Sequence, residues 1–280
     1  MPLWGSKPKS PLILFQHVAK CGGTTLVEHL GQLGNRGLCL GFPCETKSDV
    51  RREAERLLGP KSSARNRVIA IYGHRVYYGL HELSEREPVY TTMLRHPVER
   101  VVSLFNHHAG IAHRPEHPNF ERDRNRMLID GELIDIADWL DRYYTGNHMV
   151  RFLYYAMQGE EVDPPGEMTE EHLAVAKQFL DLCGFVGTTE TSDHDFAIIC
   201  KAIGIAPPKT RANISTRYFD LGTGSSSARE AETNKLPEVT SQSSSIASLI
   251  LERDTLDLEL YQYACERRNA IGTNPSLSLS

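Results

Sequence analysis

No stretch of this 280-residue chain approaches the roughly 18 uninterrupted apolar residues that a membrane-spanning helix needs. Residues 1–11 hold two lysines but no apolar block, so they do not read as a secretory leader. Six cysteines stand at 21, 39, 44, 183, 200 and 265, and none forms a C-x-x-C pair. Cys39 and Cys44 are near enough in sequence to bridge, but reduced thiols in a cytoplasmic chain are the expected state. Neither sign of charge dominates: the net charge of −5 argues against a broad nucleic-acid surface and makes any anion site local. The two familiar nucleotide loops are missing as well. Lys20 precedes its glycines, so the pattern G-x-x-x-x-G-K-[ST] is absent. Gly22 and Gly23 are adjacent, which breaks G-x-G-x-x-G. Hydrophobic content of 40% with 24% charged residues is that of an ordinary globular protein, and the length suffices for a large core.

What the chain does have is a strand, a loop and a helix in succession. Residues 12–18 are apolar and strand-like, Ala19-Lys20-Cys21-Gly22-Gly23-Thr24-Thr25 follows, and residues 26–30 continue as a helix. Free N–H groups and the dipole at a helix start attract anions. Glycines let the backbone approach a ligand. Lys20 adds a full charge, and Thr24 and Thr25 add hydroxyls. The plainer alternative is a tight turn with an incidental lysine.

A second candidate lies after the strand-like residues 89–94, where Arg95-His96-Pro97 opens another helix. Arg95 then stands at the carboxyl end of a strand, the rim where ligands bind in open α/β sheets. Arg95 and Ser103 are a suitable pair for a phosphate. Pairing of Arg95 with Glu99 is the structural alternative.

Together these residues resemble a known family. H-V-A-K-C-G-G-T-T and L-R-H-P-V-E-R-V-V-S are similar to the two nucleotide loops of sulfotransferases that use PAPS (3′-phosphoadenosine 5′-phosphosulfate). The resemblance is to the carbohydrate-type enzymes, similar to the heparan sulfate 2-O- and 6-O-sulfotransferases and their bacterial relatives. It continues at Tyr72-Gly73-His74, at Asn147-His148-Met149, at Phe185-Val186-Gly187-Thr188-Thr189-Glu190 and at Asp257-Leu258-Glu259-Leu260-Tyr261. It implies a P-loop-NTPase-like three-layer α/β fold with a central parallel sheet, and PAPS as donor without a metal. It implies that Lys20, Cys21, Gly22, Gly23, Thr24 and Thr25 hold the 5′-phosphosulfate end, and that Arg95 and Ser103 hold the 3′-phosphate. Cys21 stands where the family usually has threonine, and His96 where it usually has aspartate. Cys21 is read as inert packing, with a reactive thiol as the alternative.

Sulfuryl transfer needs charge neutralisation, for which Lys20 is the candidate, and a base for the acceptor hydroxyl. His74, after the apolar residues 68–72, matches a base-carrying segment of the 2-O-type relatives. His29, one helical turn beyond Thr25, matches the base position of the 6-O-type relatives. His74 is preferred, and a structural histidine is the alternative for both.

The expected organisation is one domain over 1–280, with a flexible start at 1–10, a mobile serine- and glycine-rich loop at 222–245 that could close over ligand, and a tail at 268–280. Helices are expected at 49–58, 97–108, 134–144, 148–157, 169–182, 192–203 and 245–267, with Ser192 or Asp193 capping the sixth. Residues 107–126, rich in histidine and arginine, are expected to be irregular and either solvated or facing substrate. The expected partner is a carbohydrate or other hydroxyl-bearing acceptor, with neither nucleic acid nor membrane. A small-molecule or lipid acceptor, a kinase-like phosphotransferase and a non-catalytic nucleotide sensor are the competing readings.

Overall fold

The computed structural model describes residues 11–39, 47–59, 62, 67–159, 166–209 and 244–273. Strand β1 (Leu12–Gln16) is buried along its whole length. Leu12 and Leu14 enter one core cluster, and Ile13 and Phe15 enter another. This is the period of two expected of a strand covered on both faces. The strand forms the centre of a parallel sheet with β2 (Gly37–Cys39), β3 (Ala70–Gly73) and β4 (Pro88–Leu94). A short antiparallel pair, β5 (Leu128–Ile129) and β6 (Glu132–Leu133), stands apart from it. Strand β7 (Phe185–Thr188) completes the five-stranded sheet, in the order β2-β3-β1-β4-β7. The chain moves from β1 to one side of the sheet and then crosses to β4 on the other. Such a reversal opens a crevice at the carboxyl ends of the strands.

Helices cover both faces, giving the expected three-layer α/β architecture. On one face lie α1 (Thr24–Gly31) and, later in the chain, a helix over Ser192–Ala202, through Leu26, Leu30, Phe196 and Ile199. On the other lies α2 (Lys47–Leu58) with its Val50, Ala54 and Leu58. A third cluster gathers α3 (Pro97–Ile111), α4 (Phe120–Met127), α5 (Ile136–Tyr143) and the helix over Ser244–Arg253 around Phe105, Trp139 and Ile250. Helices α6 (His148–Gln158) and α7 (Glu170–Leu182) share the face of α2. The helix over Ser192–Ala202 is α8, that over Ser244–Arg253 is α9, and α10 (Thr255–Thr273) joins the α2 face through Leu256 and Leu260.

Four expectations are corrected. Residues 107–126 are irregular only over 112–119: α3 runs on to Ile111, and α4 begins at Phe120. There His108 Nδ1 lies 3.2 Å from the buried Asp123 carboxylate, which Arg122 also pairs. The last helix is two helices broken at Asp254, and it continues past 267, so residues 268–273 are helical rather than tail. Ser244 and Ser245 already belong to α9. Thr191, not Ser192 or Asp193, precedes α8, and its hydroxyl donates to Asp195 at 2.6 Å. The capping box at Thr169 is present, with His172 as the partner. The start at 1–10, the remainder of the loop at 222–243, Cys44 and the tail from 274 lie outside the described residues.

The starts of α6 and α10 cap each other. Asn147, before α6, accepts the N–H groups of Leu256 and Asp257 on its Oδ1 at 3.0 and 3.1 Å. Asp257 in return accepts the N–H groups of Met149 and Val150 at 3.0 and 2.8 Å. Asp254 accepts the N–H of Asn147 and the hydroxyl of Tyr144. Orphan donors at two helix starts are thereby satisfied inside the protein. Arg100, 1% exposed on α3, completes the cluster: its Nη2 donates to the Tyr144 oxygen at 2.6 Å, and its Nε lies 3.9 Å from Asp257. Burial opposes the Arg100 charge, but Tyr144, Asp257 and Asp254 outweigh it and hold the guanidinium protonated. Burial and the adjacent Asp254 carboxylate push Asp257 up to about 7. Arg100→Met leaves two buried acids without their cation. It should lower the unfolding free energy by about 3–5 kcal/mol, read by urea denaturation.

Candidate active site

Lys20 to Thr25, His74 and Arg95, all singled out in the sequence, follow the carboxyl ends of adjacent strands. The loop after β1 carries Lys20 to Thr25. His74 follows β3, which pairs with β1 through Gln16 and Gly73. Arg95 follows β4, which pairs with β1 through Gln16 and Thr92. Thr189 follows β7, paired to β4 up to Leu94 and Thr188.

The loop is wound tightly. Lys20 has φ +66°, a left-handed conformation that costs a residue with a Cβ on the order of 1 kcal/mol or more. Gly22 has φ +78°, and a Cβ on it would meet Thr189 Cγ2 and Oγ1 at 3.2 Å. Gly23 has an ordinary φ of −70° but a different constraint. A Cβ there would fall 2.6 Å from His17 Cδ2 and 2.8 Å from Phe15 Cζ. Only glycine lets the start of α1 sit this close to β1. The first turn of α1 holds no acidic residue, so its free N–H groups face no competing carboxylate from their own helix.

Positive charge is concentrated here. Burial, then the nearby Arg95, lowers Lys20 to about 8, with Arg100 adding to the effect. The Arg95 charge thus opposes that of Lys20 across neighbouring strand ends. Arg95 Nη2 also reaches Glu99 at 3.2 Å, the alternative pairing foreseen from the sequence. Ser103 is half-buried on α3, one turn beyond Glu99 and on the same face. His107 continues that face, and burial, with Lys20 adding to it, lowers it to about 3. Cys21 is fully buried, and burial pushes its thiol up to about 12. That favours packing over reactivity and leaves the loop charge to Lys20.

His74 is held from three directions. Its Nδ1 donates to the His17 carbonyl at 2.6 Å, so the neutral ring carries its proton on Nδ1 and its lone pair on Nε2. Its own carbonyl accepts from the Gln16 side chain at 3.2 Å. Its ring stacks on that of His17. Burial holds His74 below the usual histidine value, the bond to His17 pulls it partly back, and Arg75 lowers it further. His29 is placed differently: its Nε2 lies 2.7 Å from the Ala206 carbonyl, beyond α8.

Sequence reasoning missed His17, Gln16, Thr189 and Arg100. Gln16 and His17 lie inside the first motif, and their burial among apolar neighbours was the available signal. Thr189 and Arg100 lie within the segments that carry the resemblance, but their contacts are made only in the fold.

The Sulfotransferase family model matches residues 7–264, and the chain belongs to that family. Its reaction class is accordingly sulfuryl transfer to a hydroxyl-bearing acceptor. A search of curated proteins finds no match. No helix among the described residues is long and apolar enough to cross a membrane.

Gly23→Ala forces His17 or the loop to move. It should cost about 1–3 kcal/mol of stability in urea unfolding, with the loss centred on the loop in hydrogen exchange.

Proposed function

We propose that the chain transfers the sulfuryl group of PAPS to a hydroxyl of a carbohydrate acceptor. The observation that carries the donor assignment is the pairing of a half-buried, charge-crowded Lys20 with Arg95 on neighbouring strand ends. A nucleotide with anionic groups at both its 5′ and 3′ ends relieves that crowding. The residues fit such a ligand: a loop packed tightly at Gly22 and Gly23, a helix start with no acid in its first turn, and two cations. Lys20 to Thr25 would hold the 5′ end, and Arg95, released from Glu99, would join Ser103 on the 3′-phosphate. The carbohydrate acceptor rests on the resemblance of the motif segments to that branch.

In the net reaction an acceptor-oxygen-to-sulfur bond forms and the bond from sulfur to the bridging oxygen breaks. The acceptor proton passes to His74 Nε2. The electron pair leaves on the 5′-phosphate of adenosine 3′,5′-bisphosphate, where Lys20 neutralises it. His74 is favoured over His29 as the base because it directly follows β3, beside the strand that carries the Lys20 loop, whereas the His29 ring on α1 is tied to the Ala206 carbonyl beyond α8. In-line displacement depends on such placement more than on covalent help from the protein.

Adenosine 3′,5′-bisphosphate at about 100 times its Kd should add about 2.7 kcal/mol of stability by thermal shift, and ATP with magnesium should add less. Greater stabilisation by ATP would favour the phosphotransferase reading. Lys20→Ala should lower kcat on the order of 10²–10³-fold. Activity needs His74 neutral and Lys20 charged. Thus kcat/KM should rise as pH passes the depressed His74 value and fall as it passes about 8, where Lys20 of the unliganded enzyme loses its proton. In kcat the alkaline limb should lie higher, because bound anion keeps Lys20 protonated.

A further inference from the structure

One residue joins the donor loop to the base. His17 follows β1 directly and is only 8% exposed. Its imidazole lies between two rings: Phe15 at 5.9 Å and 18°, and His74 at 4.5 Å and 17°. Its N–H donates to the Gly73 carbonyl at 3.0 Å, and its carbonyl accepts the Nδ1–H of His74 at 2.6 Å. Gly23, at the start of α1, lies against the same ring, where a Cβ would come within 2.6 Å of Cδ2 and 3.1 Å of Nε2. The ring therefore touches the base on one side and the anion cradle on another.

We propose that the His17 ring is a positioning group for His74, holding its ring plane in fixed relation to the donor loop. The proposal rests on the reading of His74 as the base. The backbone bond alone sets a hydrogen-bond direction but leaves the His74 ring free to tilt about it. The parallel stack removes that freedom. The stack also discriminates between the two states of the base. A neutral aromatic face against an imidazolium is attractive, so His17 favours His74 once it has taken the acceptor proton. This requires His17 itself to be neutral, and burial, His74 and Lys20 together hold it well below the usual histidine value. The charged groups facing the pair are Lys20, from the loop after β1, and Arg75, from the segment after β3. Helix α6 brings the Phe152 ring to 5.9 Å from His74.

The test uses the whole protein with adenosine 3′,5′-bisphosphate bound, and reads the imidazole ¹⁵N shifts of His74 across pH. In the unsubstituted protein His74 should appear as the Nδ1–H tautomer. In His17→Leu, which fills volume without an aromatic face, the backbone carbonyl should keep the tautomer while the titration midpoint falls by about half a unit. His17→Phe should restore the midpoint. Sulfuryl transfer from PAPS to a panel of oligosaccharides should fall about tenfold in kcat for His17→Leu, with recovery in His17→Phe. An unchanged midpoint in His17→Leu, with transfer lost in His74→Ala, would overturn the role of His17 alone. A lowered midpoint in His17→Phe would overturn it as well, should His17→Leu fail to fold. Full transfer by His74→Ala would instead overturn the base assignment, and with it any part for His17 in the chemistry.

Discussion

A guanidinium buried in the first turns of α3 fixes much of what surrounds it. Arg100 meets Tyr144 and Asp257, and through Tyr144 it meets Asp254. Those two acids are also the groups that cap α6, while Asn147 caps α10 in return. One cation thus ties together the helix after Arg95, the wall of helices beyond the sheet and the third hydrophobic cluster. A buried ion pair is poor evidence of net stability, since well-packed apolar residues often do as well. Its contribution here is geometric. It fixes the direction in which α3 leaves β4, and hence where Arg95 and Ser103 stand relative to the β1 loop.

The sheet supplies the complementary constraint. Because β1 has parallel neighbours on both sides, the loops that follow β3, β1 and β4 emerge side by side. Residues 20, 74 and 95 are far apart in the chain, yet they share one rim. The polar side chains within the strands act as rivets: Gln16 reaches the carbonyl of His74, and Thr92 donates to the carbonyl of Gln16 at 2.9 Å. The loop after β7 is held in the same manner, with Asp195 accepting from the Thr188 N–H, the Thr191 hydroxyl and Arg268.

The central strand, its loop and the arginine-bearing turn were legible because local pattern determines them: an apolar run, paired glycines, a proline at a helix start. The α/β class followed from strands alternating with helices. Arg100 was not legible as a core residue, since arginine is rarely buried without partners and its partners lie 44 to 157 positions away. Residues 107–126 looked irregular because charge and histidine mask a weak helical pattern that packing against Trp139 and Asp123 rescues. The break at Asp254 was hidden because apolar periodicity runs across it. Only the capping demands of α6 explain it. The place of His17 between two rings depends on β3 lying beside β1, which no local signal states.

The handedness of the backbone at Lys20 bears on how such a loop can be rebuilt. Residues 20 and 22 both adopt positive φ, but position 20 carries a side chain, whereas a Cβ at position 22 would press on Thr189 at 3.2 Å. The order of lysine and glycine is therefore not exchangeable. Converting this cradle to one with its lysine behind the glycines would mean rebuilding the turn after β7 as well as the loop itself. The two loops form one moulding unit, and a graft that transplants the first without the second carries over the charge without the shape.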